Sequence, residues 1–90
     1  MTRQGCLIVN KLGLHARAAA RFVSVASRFP CKVKIGRTPD SLVDGKSIIS
    51  VMMLAAGKGS RLQLLTEGDQ EDKAMNALTE LIANFFGEGQ

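Results

Sequence analysis

The chain has 90 residues, of which 46% are hydrophobic and 22% charged, and its formal net charge is +4. That length predicts one small domain, residues 1–90, with a modest core. The longest uncharged run, Ser47 to Gly57, is too short to span a bilayer, and Met1-Thr2-Arg3-Gln4 carries no signal-peptide pattern, which together predict a cytoplasmic protein with no membrane insertion.

Residues Gly5 to Val9 are apolar and β-branched enough for a first strand. From about Ala16 to Arg28 the spacing changes. Ala19, Phe22, Val23 and Ala26 recur at i, i+3, i+4 and i+7, one face of a helix, while Arg17, Arg21, Ser24 and Arg28 fall opposite. Pro30 stops that helix. Cys31 to Ile35 alternates apolar and charged residues, the pattern of a half-buried strand. A turn at Pro39 leads to a short strand, Ser41 to Val43, which ends at Asp44-Gly45. Ser47 opens a second helix that Gly57-Lys58-Gly59 closes. Arg61 to Thr66 is a strand with Leu62 and Leu64 inward. Asp69 is the expected N-cap of a final helix with Glu71 and Asp72 in its first turn, and Ala74, Ala77, Leu78, Leu81, Ile82 and Phe85 form its buried face. The order is βαββαβα. It predicts an α+β open-faced two-layer sandwich, a four-stranded antiparallel sheet covered on one face by three helices.

Cys6 and Cys31 lack metal-type spacing, and a single histidine cannot complete a zinc site with them, so no metal is expected. Their apolar, alternating segments favour two buried thiols over a disulfide. The basic residues are scattered along the chain and the acids gather toward its end. The four aromatics are all Phe, and no basic-aromatic strand suited to stacking bases is present. An acidic protein surface fits this charge as well as a polynucleotide does.

The one histidine, His15, falls at the start of the first helix, after the Gly13 turn. Peptide N–H groups there lack intrahelical partners and carry the positive end of the helix dipole. Such a place stabilises anions, phosphate above all. It disfavours imidazolium, which keeps a histidine nucleophilic. Arg17 stands close enough to balance charge on a phosphoryl group. The plainer possibility is that His15 only caps the helix or fills a surface notch.

Gly13 to Phe22, "GLHARAAARF", resembles the active-site signature of the HPr family, the histidine-containing phosphocarriers of the phosphoenolpyruvate-dependent phosphotransferase system. Asp44 to Gly59, "DGKSIISVMMLAAGKG", resembles that family's second signature, and Thr66 to Ile82 resembles its final strand, turn and helix. The resemblance covers nearly the whole chain, and the βαββαβα order is also the family's fold. It implies that His15 accepts a phosphoryl group from enzyme I and passes it to an enzyme IIA domain, with Nδ1 as the accepting atom. On this resemblance the backbone N–H groups of Ala16, Arg17 and Ala18 and the Arg17 side chain hold the phosphate. The protein is then a stoichiometric carrier, rather than a turnover enzyme, that works as a monomer without a cofactor. Ala18 departs from the usual proline, and alanine keeps an N–H at a helical position.

"DGKS" is not a phosphate-binding P-loop, because Asp40 stands where that motif needs its first glycine. Ser47 reads as an N-cap, and the resemblance adds a regulatory role as the substrate of an HPr kinase. In the second helix Val51, Leu54 and Ala55, with Ser47, share the face that packs on the sheet. Ile48, Ile49 and Met52 are left on another side as an apolar patch, which with Ala20 and Arg21 forms a candidate partner interface. Two other functions compete with the carrier. One is a regulatory binding module that acts through Ser47 and the patch alone, and the other is a small basic nucleic-acid-binding domain. Within the family, sugar uptake and a nitrogen-related regulatory branch both remain open.

Overall fold

A computed structural model describes residues 1–88. Strand β1 (Thr2–Leu7) is followed by helix α1 (Ala16–Ala26), β2 (Lys32–Gly36), β3 (Leu42–Asp44), α2 (Ile48–Met52), β4 (Arg61–Glu67) and α3 (Glu71–Ala83), with a tight left-handed turn at Phe85–Gly87. The strands form one sheet in the order β1-β4-β2-β3, every neighbouring pair antiparallel. The expected α+β sandwich is present.

Strand alternation decides which face is covered. Val33 and Ile35 of β2 and Leu62, Leu64 and Thr66 of β4 are buried, the period-2 set that one sheet face presents. Against that face pack Ala18, Ala19, Phe22 and Ala26 of α1, Val51 of α2, and Ala74, Met75, Leu78 and Ile82 of α3. Leu65 points the other way and is still buried. Its register partners Arg3 and Lys34 bring the long aliphatic stems that can shade such a residue.

Several boundaries differ from the sequence expectation, each for a local reason. Helix α1 ends at Ala26 rather than Arg28. The Arg28 and Phe29 N–H groups bond three residues back, to Val25 and Ala26 carbonyls, the tightened last turn that precedes Pro30. Helix α2 has five residues and does not reach Gly57. Beyond Met52 the Leu54 and Ala55 N–H groups bond three residues back, and Ala55 then turns left-handed (φ 50°), where the Arg37 guanidinium donates to the Leu54 and Ala55 carbonyls at 2.9 and 3.1 Å. Ala55 is therefore exposed and Leu54 half-buried, so neither forms the continuous sheet-facing stripe expected of them. Asp69 does not cap α3. Gln70 occupies the N-cap position with φ 66° and no side-chain bond, and the turn before the helix is held instead by Glu71, which accepts from the Gly68 N–H at 3.1 Å.

The loop between β1 and α1 is fastened to the loop before β4. The Ile8 N–H donates to the Ser60 carbonyl at 2.9 Å, Gly59 N–H to Ile8 at 2.7 Å and Leu14 N–H to Ala56 at 2.8 Å. Gly13 has φ +67°, and a Cβ there would sit inside van der Waals contact of the Ala56 carbonyl and Gly57 Cα. Only glycine permits this approach, and it delivers His15 to the first turn of α1.

Candidate functional site

His15 is the N-cap of α1, with extended backbone (φ −72°, ψ 178°). Its carbonyl accepts from Ala19 N–H at 2.9 Å, so the N–H groups of Ala16, Arg17 and Ala18 precede the intrahelical ladder. One of the three is spoken for: the Arg17 N–H donates to His15 Nδ1 at 3.3 Å. Cap and candidate nucleophile are thus the same atom. An Nδ1 that accepts a hydrogen bond carries a lone pair and no proton, the state a nucleophile needs.

The other ring nitrogen is held as well. His15 Nε2 lies 2.6 Å from Glu88 Oε2, with the two side chains 26% and 14% exposed. Glu88 Oε1 accepts from Asn10 Nδ2 at 2.9 Å, and the same Nδ2 donates to the Gly13 carbonyl at 2.7 Å. Asn10 is fully buried, and among the described residues its Oδ1 has no hydrogen-bond partner. Partial burial pushes the Glu88 carboxyl up, but the hydrogen bonds from Asn10 and His15, together with the positive charge of Arg21 and of the His15 ring when it is protonated, outweigh it and hold the group below its ordinary value. Lys11, Leu12, Arg17 and Glu88 line a shallow depression of about 310 Å³ beside the ring. Two cations, a helix N-terminus and a nitrogen lone pair thus lie near one surface position, and the one carboxylate there, Glu88, is tied to Asn10 and the His15 ring, an arrangement that suits a dianionic group that forms a bond to nitrogen.

Of the residues singled out from the sequence, Ala16 and Arg17 are exposed in the first turn of α1, whereas the Ala18 side chain is buried and only its N–H faces the helix start. Ala20 is half-buried. The Arg21 side chain is turned toward its own chain, where Nη1 donates to the Phe86 carbonyl. Ser47 is the N-cap of α2, its Oγ accepting from Ser50 N–H at 3.3 Å. Ile48, Ile49 and Met52 are 43%, 71% and 40% exposed, and Met53 and Leu12, not anticipated, are more exposed than most of them at 78% and 69%. Cys6 and Cys31 are free thiols, Cys6 half-buried and Cys31 buried, and burial pushes the Cys6 thiol up to about 11. Asn10 and Glu88 escaped the sequence reading altogether. Glu88 is 73 positions from His15, and no periodicity or spacing links two residues so far apart.

A family model described as the PTS HPr component phosphorylation site matches residues 3–84. The chain belongs to the HPr family. It is 70% identical over 83 residues to the phosphocarrier protein HPr of Pseudomonas aeruginosa, which covers 92% of each chain. It is 51% identical over 90 residues, all of both chains, to the phosphocarrier protein HPr of Neisseria meningitidis. Among solved structures it resembles HPr-C-His from Thermoanaerobacter tengcongensis with a TM-score of 0.91 at 41% identity, over 98% of each chain. As an HPr-family member the chain is a phosphocarrier of the phosphotransferase system. Among the described residues no helix is long and apolar enough to cross a membrane.

Proposed function

We propose that the whole chain, residues 1–90, is a cytoplasmic carrier in which His15 takes a phosphoryl group from enzyme I and hands it to a histidine of an enzyme IIA domain. The observation behind this reading is the lone pair of His15 Nδ1, directed at the N-terminus of α1. In the transfer Nδ1 attacks phosphorus in line, and the nitrogen–phosphorus bond of the donor breaks as the new one forms. The Arg17 N–H, which capped against Nδ1, then turns to a phosphoryl oxygen, joined by the N–H groups of Ala16 and Ala18. The Arg17 guanidinium on the rim of the depression offsets the dianion's charge. Little beyond positioning and electrostatics is needed.

Docking uses the apolar surface of α2, Ile48, Ile49, Met52 and Met53, next to the α1 site. So many exposed apolar side chains on a five-residue helix and its C-cap fit a surface that is transiently covered. Ser47 opens that helix, and its phosphorylation by an HPr kinase would set a charge at the edge of the same surface.

The test is labelling with phosphoenolpyruvate and enzyme I. The protein gains one acid-labile, base-stable phosphoryl group. His15→Ala abolishes it and lowers stability by about 1 kcal/mol through the lost helix cap. His15→Asn, which can still cap, abolishes labelling with a smaller stability change. Stoichiometric labelling of either variant sinks the assignment.

A further inference from the structure

The segment that follows α3 is bent back toward the β1–α1 loop by an unusual backbone. Phe85 and Phe86 both have positive φ, 58° and 53°, a region that side chains other than glycine seldom adopt and that persists only where surrounding contacts impose it. Those contacts are present. The Phe86 side chain is fully buried, its carbonyl accepts from Arg21 of α1, and the Glu88 N–H donates to the Phe85 carbonyl at 2.9 Å. The consequence is one carboxylate placed against the back of the His15 ring, held on its other oxygen by the buried Asn10 amide.

We propose that Glu88 is a positioning residue for His15, accepting the Nε2 proton and so leaving the Nδ1 lone pair as the phosphoryl-accepting atom. This deepens the acceptor reading given above and rests on it. The two ring nitrogens of a neutral imidazole share a single proton, and each nitrogen's partner selects where it resides. A backbone N–H at Nδ1 can only donate, and a carboxylate at Nε2 can only accept. Both partners therefore specify the same tautomer, with the proton on Nε2. A carboxylate behind a working histidine has a second effect. When Nδ1 bonds to phosphorus the Nε2 proton stays in place, the donor nitrogen leaves with its electron pair, and positive charge passes to the His15 ring facing Glu88. When the phosphoryl group moves on, the Nδ1–phosphorus bond breaks, its electron pair returns to Nδ1, and the ring is neutral again. Glu88 thus stabilises the ring in the loaded state without touching the phosphoryl group, while the buried Asn10 amide and the ring together hold its two oxygens at the edge of the depression.

The experiment is nitrogen-15 NMR of the imidazole in the full chain at neutral pH, with labelling by phosphoramidate as a second arm. In wild type the proton resides on Nε2 and the label appears on Nδ1. Glu88→Ala raises the Nδ1–H tautomer several-fold and slows Nδ1 labelling by about tenfold, the scale typical for removing a carboxylate behind a working histidine. Glu88→Gln, whose amide oxygen still accepts from Nε2, keeps the tautomer and recovers part of the rate. An unchanged tautomer in Glu88→Ala overturns the proposal, whether or not the rate falls. The tautomer is read without any donor, so absence of label on wild type would overturn the acceptor reading and leave the hold of Glu88 on the ring standing.

Discussion

Arg17 contributes twice to the site through chemically different groups. Its backbone N–H caps against His15 Nδ1, and its exposed side chain lines the same depression as Glu88. Substitution separates the two, because any side chain but proline keeps the N–H. Arg17→Ala therefore leaves the helix start and the fold intact but slows transfer from enzyme I by roughly tenfold, the effect of one lost charge-assisted contact worth about 1.5 kcal/mol or more. Arg17→Lys recovers part of the rate, since an ammonium supplies charge but not the planar fork. Stopped-flow transfer kinetics check both. Transfer by Arg17→Ala at the wild-type rate would reduce the guanidinium to a solvated helix charge. Glu88 and Asn10 belong to the same scale, because Glu88 meets the ring directly and Asn10 holds Glu88.

Helix α2 is too short to be stable alone, and it persists because Val51 is buried under it and Ser47 caps it. The remaining apolar residues point to solvent. Ile49, 71% exposed, is the informative position. Ile49→Glu changes folding stability by no more than about 0.5 kcal/mol, as an exposed substitution does. In a docked complex, though, the carboxylate would be desolvated without a partner, which weakens binding of enzyme I and enzyme IIA by about 2 kcal/mol or more. Phosphoramidate should still label the variant at the normal rate, since the His15 site is built from α1 and its neighbouring loops. Titration calorimetry against enzyme I measures the docking term. Unweakened binding would place the interface elsewhere.

Across the whole molecule, the two ends of the sequence order are tied together at the sheet edge. The Met1 amine lies 2.8 Å from Glu71 Oε2, and Thr2 Oγ1 donates to the same oxygen at 2.7 Å. With the Gly68 N–H, these contacts, led by the Met1 amine, hold the Glu71 carboxyl down at about 2 from an ordinary 4.5. A carboxyl depressed on folding adds stability above its unfolded value and loses it as pH falls. The Glu71 contribution is therefore complete above about pH 4.5 and fades toward pH 2. The Met1 amine is raised by the same pair from its ordinary 8.0, so its contribution is complete below pH 8 and fades as pH rises through the folded value. Glu71→Gln should flatten the acid limb of a plot of thermal midpoint against pH and also weaken the alkaline limb. An unchanged acid limb would mean that other carboxylates, Glu88 among them, dominate acid unfolding.

The sequence by itself determined whatever local period and local chemistry encode. The i, i+3, i+4, i+7 spacing of Ala19, Phe22, Val23 and Ala26 specifies a helix because 3.6 residues make a turn, and Val33 and Ile35 alternate with lysines because a strand repeats every two. His15 could be placed at a helix start from its neighbours alone. The tertiary structure decided everything that depends on distant segments meeting. Helix α2 ends at Met52, short of the glycines, and Arg37, eighteen positions from Ala55, fastens the turn that follows it. Arg21, grouped with the candidate partner interface from the sequence, also fastens the Phe86 carbonyl of its own chain, a contact no local pattern announces. Glu88 meets His15 only because a buried Phe86 forces two left-handed residues on the backbone before it. Hydrogen bonds of that kind form only after the core has closed the long loops between their ends.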